Sequence, residues 1–350
     1  QAGVVDSGGR GLLLIYTGGT IGMRQDPKTQ TLKPFDFSQI LAEVPELGKF
    51  AYRIDSWSFD PVIDSSDVDP SLWKELVRII RERYDDYDGF VVLHGTDTMA
   101  YSASALSFMI EGLTKPVIFT GSQLPIGVPR TDGKENLISA VEIAAAKGED
   151  GLPQVPEVCI FFENMLLRGN RTRKMSSDEF SAFRSPNLPP LAEAGISIRY
   201  NDKLIIRPAD PCAAPVFHPR LDTRVSILKL HPGITRQVVC NILCGDDTRA
   251  VIIESYGSGN APSASWFLSL VKEAAAMGKV LVSVTQCISG VVDMGIYANG
   301  KALMDCGVVG GADMTPEAAL GKLFHLLGEY GDNAEVARLF CKNMRGEMSL

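Results

Sequence analysis

Short apolar runs alternate along this chain with stretches in which apolar residues recur every three or four positions. Gly11-Leu12-Leu13-Leu14-Ile15 and Gly89-Phe90-Val91-Val92-Leu93 have the length and branching of buried strands, and residues 51–57, 116–120 and 157–162 also read as strands. Between them, residues 71–84 place Leu72, Leu76, Ile79 and Ile80 on one helical face, behind the start signal Asp69-Pro70. Residues 99–111 and 134–147 read as helices, 36–44 as a short helix, and the turn-rich 24–31 as a loop over the first strand's end. The rhythm restarts later: strands at 225–230, 250–255 and 279–284, helices at 235–243, 263–277, 315–327 and 333–341. Such a β-α-β-α succession predicts an α/β fold, a mostly parallel sheet with helices on both faces. Pro208, Pro211, Pro215 and Pro219 suggest a linker over 201–222. The expected layout is a larger N-terminal α/β domain (1–200) carrying the chemistry and a smaller C-terminal α/β domain (223–350).

A parallel sheet collects ligands at the carboxyl edge of its strands. The segments expected there are Tyr16-Thr17-Gly18-Gly19-Thr20-Ile21-Gly22, Asp64-Ser65-Ser66-Asp67 and His94-Gly95-Thr96-Asp97-Thr98. Their glycines let backbone approach a bound molecule, and the side chains beside them are hydroxyls and carboxylates. Composition narrows the class. With 45% hydrophobic and 22% charged residues over 350 positions, the chain can bury a full core. A net charge of −8 argues against a nucleic-acid surface. No apolar run approaches the ~20 residues that span a bilayer. Nothing in the opening residues has a signal peptide's pattern. The seven cysteines are scattered, and the one close pair, Cys240 and Cys244, has no partners to complete a zinc site. Buried free thiols in a reducing, cytoplasmic setting are expected.

There is no G-x-G-x-x-G, no G-x-x-x-x-G-K-[ST] and no G-x-S-x-G, so dinucleotide, nucleotide and serine-hydrolase sites are poorly supported. The sequence instead resembles the bacterial-type L-asparaginases, their cytoplasmic branch in particular. The resemblance rests on the three edge segments, on Tyr84-Asp85-Asp86-Tyr87-Asp88-Gly89-Phe90, and on Arg168-Gly169-Asn170-Arg171-Thr172-Arg173-Lys174. It continues through Ser185-Pro186-Asn187-Leu188-Pro189-Pro190-Leu191, Ser255-Tyr256-Gly257-Ser258-Gly259-Asn260-Ala261-Pro262 and Gly310-Gly311-Ala312-Asp313-Met314-Thr315.

That resemblance implies an amidohydrolase that turns L-asparagine and water into L-aspartate and ammonia, with no metal or other cofactor. Thr20 matches the family nucleophile, and Thr96, Asp97 and Lys174 its Thr-Asp-Lys set. Gly19, Asp64, Ser65 and Ser66 match the segments that hold substrate, with Thr96 and Asp97 also facing it. A threonine hydroxyl attacks only when a base takes its proton. A lysine serves only in its neutral form, whereas Asp97 favours the charged one, so a relay through Thr96 or exclusion of water is needed. Other readings of the same residues stand beside these: Lys174 as one cation of a solvated turn, Ser65 as the cap of the helix that follows, His94 as a structural histidine.

Two departures are visible. Many relatives carry a tyrosine on the loop after the nucleophile; this chain has none between Tyr16 and Tyr52, and the resemblance implies Tyr297 for that role, since Gly295-Ile296-Tyr297-Ala298-Asn299-Gly300 matches a tyrosine-bearing segment of the cytoplasmic branch. Some members have an activating asparagine site with an arginine in the strand before Ser-Tyr-Gly. Here Glu254 stands in its place, although Thr285-Gln286-Cys287 matches the other wall. The resemblance further implies a homo-oligomer, dimer or tetramer. A subunit of a tRNA-dependent amidotransferase is the alternative, discounted because only some sixteen residues precede Thr17; a non-catalytic amino-acid sensor is another, disfavoured by the complete set Thr20, Thr96, Asp97 and Lys174.

Overall fold

The computed structural model describes residues 11–25, 32–34 and 43–349. The loop expected over 24–31 lies outside them beyond Gln25, as does the helix expected over 36–44 up to residue 42. The chain divides into two units, one reaching to residue 185 and including 189–217, the other formed by 186–188 and 218–350.

In the first unit, β1 (Leu12–Tyr16), β2 (Ile54–Ser58), β3 (Gly89–Leu93), β4 (Val117–Thr120) and β5 (Val158–Phe162) run parallel in the order β2-β1-β3-β4-β5. Every residue of β1, β3 and β5 is buried. A strand covered on both faces needs apolar residues throughout, which is why these runs do not alternate. The edge strand β2, Ile-Asp-Ser-Trp-Ser, is only partly covered. Helices α1 (Pro70–Arg83), α2 (Met99–Met109) and α3 (Gly133–Ala145) fall where the periodicity predicts them. The cap of α1 is Asp69, whose carboxylate accepts from Ser71 N at 2.7 Å; Ser65 does not cap it.

Past β5 the sheet continues with β6 (Met165–Arg168), β7 (Ala192–Ala194) and β8 (Ile198–Tyr200), all paired antiparallel. These three strands were not expected. They have three or four residues each and no clear alternation, too little signal for a periodicity argument. Within 201–222, Val216–Phe217 pairs antiparallel with Ile110–Glu111 of the first unit.

The second unit holds four parallel strands, β9 (Val225–Lys229), β10 (Ala250–Ser255), β11 (Val280–Thr285) and β12 (Val309–Gly310), in that order. Alternate strand residues feed two cores. Leu228, Val251, Ile253 and Leu281 pack with Val239 of α4 (Arg236–Cys244) and Phe267 of α5 (Ser265–Ala276). Ala250, Ile252, Val282 and Val284 pack with Leu323 of α7 (Pro316–Glu329) and Phe340 of α8 (Asn333–Phe340). This sheet therefore carries helices on both faces. The short α6 (Ala298–Met304) and β12 were not foreseen. The α/β architecture with a mostly parallel sheet is the one the sequence predicts. Among the described residues no helix is long and apolar enough to cross a membrane.

Candidate active site

The strand order of the first sheet reverses between β1 and β3: the chain leaves β1 toward β2 and returns to the other side. Carboxyl ends diverge at such a point and leave a crevice. The loops after β1 and β3 both open there. Backbone bonds stitch their roots together: Thr17 N and Thr17 Oγ1 each donate to Leu93 O at 3.0 Å, and Ile63 N donates to Thr17 O at 2.8 Å.

Gly18 and Gly19 then turn the chain with φ of 142° and 94°, a region open to glycine and costly for other residues. A side chain at Gly19 would stand 2.6 Å from Gly95 Cα and N, and one at Gly95 would strike the Ser65 side chain. The three edge segments thus meet closely, Gly19 against Gly95 through backbone and Ser65 against Gly95 through its side chain. Thr20 follows directly, half-buried, at the head of a single turn closed by Gly22 N donating to Gly19 O at 3.2 Å.

On the β3 side, Lys174 Nζ donates to Thr96 Oγ1 at 2.8 Å and to Asp97 Oδ1 at 2.7 Å. The lysine side chain is 19% exposed and the aspartate 60%. Lys174 reaches this spot from a hairpin in which Arg173–Lys174 pairs antiparallel with Phe183–Arg184. It is not a cation on a solvated turn: Asn170, Arg171 and Thr172 just before it are all buried. Arg168, at the head of the same run, is paired with buried Glu157 at 2.6 Å.

Ser65 is buried, and its carbonyl accepts from Thr98 Oγ1 at 2.7 Å. Asp64 accepts from Ser66 N and Ser66 Oγ, both at 2.9 Å, which holds its carboxyl below the ordinary carboxylate range. Tyr297 lies in the second unit, just before α6 and 56% exposed. In that unit Thr285 Oγ1 donates to Gly257 O at 2.7 Å and accepts from Cys287 N at 3.0 Å. Glu254 faces Lys229 at 3.7 Å.

Sequence reasoning missed Gln123, whose side-chain oxygen lies 3.4 Å from Thr96 Oγ1. Its position just past β4 was the available signal. His94 is buried and bonded on both ring nitrogens. Nδ1 donates to Gly95 O at 2.7 Å; Nε2 accepts from Ser102 Oγ at 2.9 Å, which in turn accepts from Trp73 Nε1 at 2.8 Å. Burial pushes this imidazole down from its ordinary value to about 4. The folded protein therefore holds His94 neutral, and protonation favours the unfolded chain. Its contribution is complete above the unfolded value of ~6.5 and lost as pH falls toward 4, about 3 kcal/mol in all. Urea unfolding at pH 7, 5.5 and 4 is expected to show this loss, and His94→Gln to flatten it; equal slopes would contradict the assignment.

The family model described as "Asparaginase, N-terminal" matches residues 11–206, and "Glutaminase/Asparaginase C-terminal domain" matches 224–340. L-asparaginase 1 of Escherichia coli is 45% identical over 346 residues, covering 97% of this chain and 98% of that protein. The 60 kDa lysophospholipase of Mus musculus is 40% identical over 97% of this chain and 63% of its own length. The crystal structure of L-asparaginase I from Vibrio cholerae superposes with a TM-score of 0.87 at 42% identity, over 97% of this chain and 99% of that one.

Proposed function

This chain belongs to the asparaginase family, and on that premise we propose that it hydrolyses the side-chain amide of L-asparagine, giving L-aspartate and ammonia. The observation that carries this reading is the Lys174 amine bonded to both Thr96 and Asp97 at the β1/β3 switch point, beside the Gly19-Thr20 turn.

In the proposed sequence, Thr20 Oγ attacks the amide carbon and its proton leaves for a base in the crevice. The carbonyl oxygen takes up the negative charge, with backbone amides near Gly19, Thr20 and Thr96 as candidate donors. Collapse expels the nitrogen, which takes a proton and departs as ammonia. The resulting threonyl ester is cut when a water, losing its proton to the Thr96–Lys174 couple, attacks the same carbon and frees Thr20. The second carboxyl oxygen of aspartate comes from that water. Asp97 is proposed to meet the substrate's α-ammonium, and the Asp64-Ser65-Ser66 segment its α-carboxylate. Tyr297 is proposed to assist the nucleophile. The reaction calls for no metal or other cofactor.

The seven thiols, none of them in a disulfide, suit a reducing compartment, and we place the protein in the cytoplasm; against expectation only Cys159 and Cys306 are buried, while Cys212, Cys287 and Cys341 are exposed. A homo-oligomer is proposed as well: Ile288, Val291, Ile296 and Tyr297, within ten residues of one another, are each more than half exposed, apolar surface that a second copy would cover. Ammonia release over a wide range of asparagine and glutamine concentrations tests the activity. Asparagine is expected to be the better substrate. Its rate curve is expected to be hyperbolic, since the Glu254 carboxylate would repel an effector's carboxylate. No release from asparagine would refute the function, and a sigmoidal curve the absence of activation.

A further inference from the structure

We infer that Gln123 is a positioning residue that parks the hydroxyl hydrogen of Thr96 and thereby holds Lys174 in its charged, resting form; the catalytic meaning of this rests on the function proposed above.

The orientation of the Gln123 amide follows from its partners. Its Nε2 lies 3.0 Å from the carbonyl oxygen of Glu179. A carbonyl only accepts, so the NH2 group must face Glu179 and Oε1 must face Thr96. The backbone behind it is fixed: Gln123 N donates to both oxygens of Asp132, at 3.1 and 2.9 Å, and Leu124 N to the same carboxylate at 3.1 Å. Asn136 Nδ2 anchors Asp132 from α3 at 3.3 Å. One amide thus bridges Thr96, on the loop after β3, and the turn within the hairpin that delivers Lys174.

The hydrogen-bond arithmetic then allows two states. While Lys174 is charged, it donates to Thr96 Oγ1, and the Thr96 hydrogen must go elsewhere; Gln123 Oε1, at 3.4 Å, accepts it. When neutral Lys174 acts as a base through Thr96, its lone pair takes the Thr96 hydroxyl hydrogen, and that hydroxyl must turn away from Gln123. That turn strands Gln123 Oε1 without its donor. Gln123 therefore favours the charged lysine and opposes the state that accepts a proton. Its value would be a defined resting state, in which the base is released only when something else pays out stabilisation, such as a bound substrate on Asp97. Among the described residues, the charged groups on the segments that carry the cluster are Asp97, Arg173 beside Lys174, Asp178 and Glu179 on the hairpin turn, and Asp132 behind Gln123; of these Asp97 pairs with the lysine.

The test uses Gln123→Met and Gln123→Glu in the full chain. The first removes the acceptor at similar volume; the second replaces it with a charged one. The pH at which the Lys174 amine loses its proton is read by NMR of 13C-labelled lysine, and the acid limb of kcat for asparagine is followed in parallel. Gln123→Met is expected to move both downward by about half a pH unit, the worth of one long hydrogen bond. Gln123→Glu is expected to move both upward by about one unit, as a carboxylate near a cation does. A lysine midpoint unchanged in both variants, with melting temperatures near the parent's, would overturn the inference. Midpoints that move as expected in a protein releasing no ammonia would uphold it and refute the proposed function instead.

Discussion

Thr20→Ala is expected to lower asparagine turnover by about 10^4-fold or more, with the fold intact. The magnitude follows from the role: when a nucleophile that works as one unit with its base is removed, nearly all the rate from covalent chemistry goes, and only binding and charge stabilisation remain. The intact fold follows from the turn. Its unusual backbone is carried by Gly18 and Gly19, whereas Thr20 heads an ordinary 3-10 turn that alanine can adopt. Its side chain is half-buried at the crevice and fills no core position. Ammonia release and thermal melting, measured on the same preparation, check both halves. Activity near the parent's would remove Thr20 from the role of nucleophile. A collapsed melting temperature would show that the hydroxyl supports the turn.

The largest stability effect is expected at Lys322, remote from this chemistry. Its side chain is wholly buried on α7, and so is that of Glu347, 2.5 Å away. Nζ also donates to Phe340 O at 2.8 Å and Lys342 O at 2.5 Å, while Glu347 accepts from Met344 N at 3.0 Å and Arg345 N at 2.6 Å. The pair pins the segment after α8 against α7. Lys322→Ala leaves an uncompensated carboxylate in the core and is expected to cost 3–5 kcal/mol, roughly the loss seen when a buried ion pair is broken from one side. The double variant Lys322→Met with Glu347→Leu should recover much of that, because it deletes both charges. Urea denaturation of the three proteins checks this; a single variant within about 1 kcal/mol of the parent would mean the pair carries little of the second unit's stability.

Much of the scaffold was legible because the physics that builds it is local. β1 and β3 are apolar throughout since both faces are covered, and α1 shows its buried face in Leu72, Leu76, Ile79 and Ile80. The region around Lys174 was not legible. Arg168, Asn170, Arg171 and Thr172 look like a hydrated turn, yet all four are buried. For two of them the offsetting partner is distant in sequence: Glu157 pairs with Arg168, and Ser107 accepts from Asn170 Nδ2. Pattern reading scores a residue by its neighbours along the chain and cannot see such partners. Gln123 escaped for the same reason. Nothing within its own strand end marks it, and its contacts are to Thr96, 27 positions earlier, and Glu179, 56 positions later. The residue resemblance supplied Lys174 where composition pointed the other way.

The touching backbones of Gly19 and Gly95 also limit how this protein can change over generations. Neither position can gain even a methyl group unless the opposing loop retreats, and Gly95 is hemmed in on its other side by Ser65. No one-codon step escapes that deadlock. Drift toward other ligands has to enter through bordering positions such as Gln123 or Ser66, leaving the glycine floor as the fixed point around which such lineages diverge.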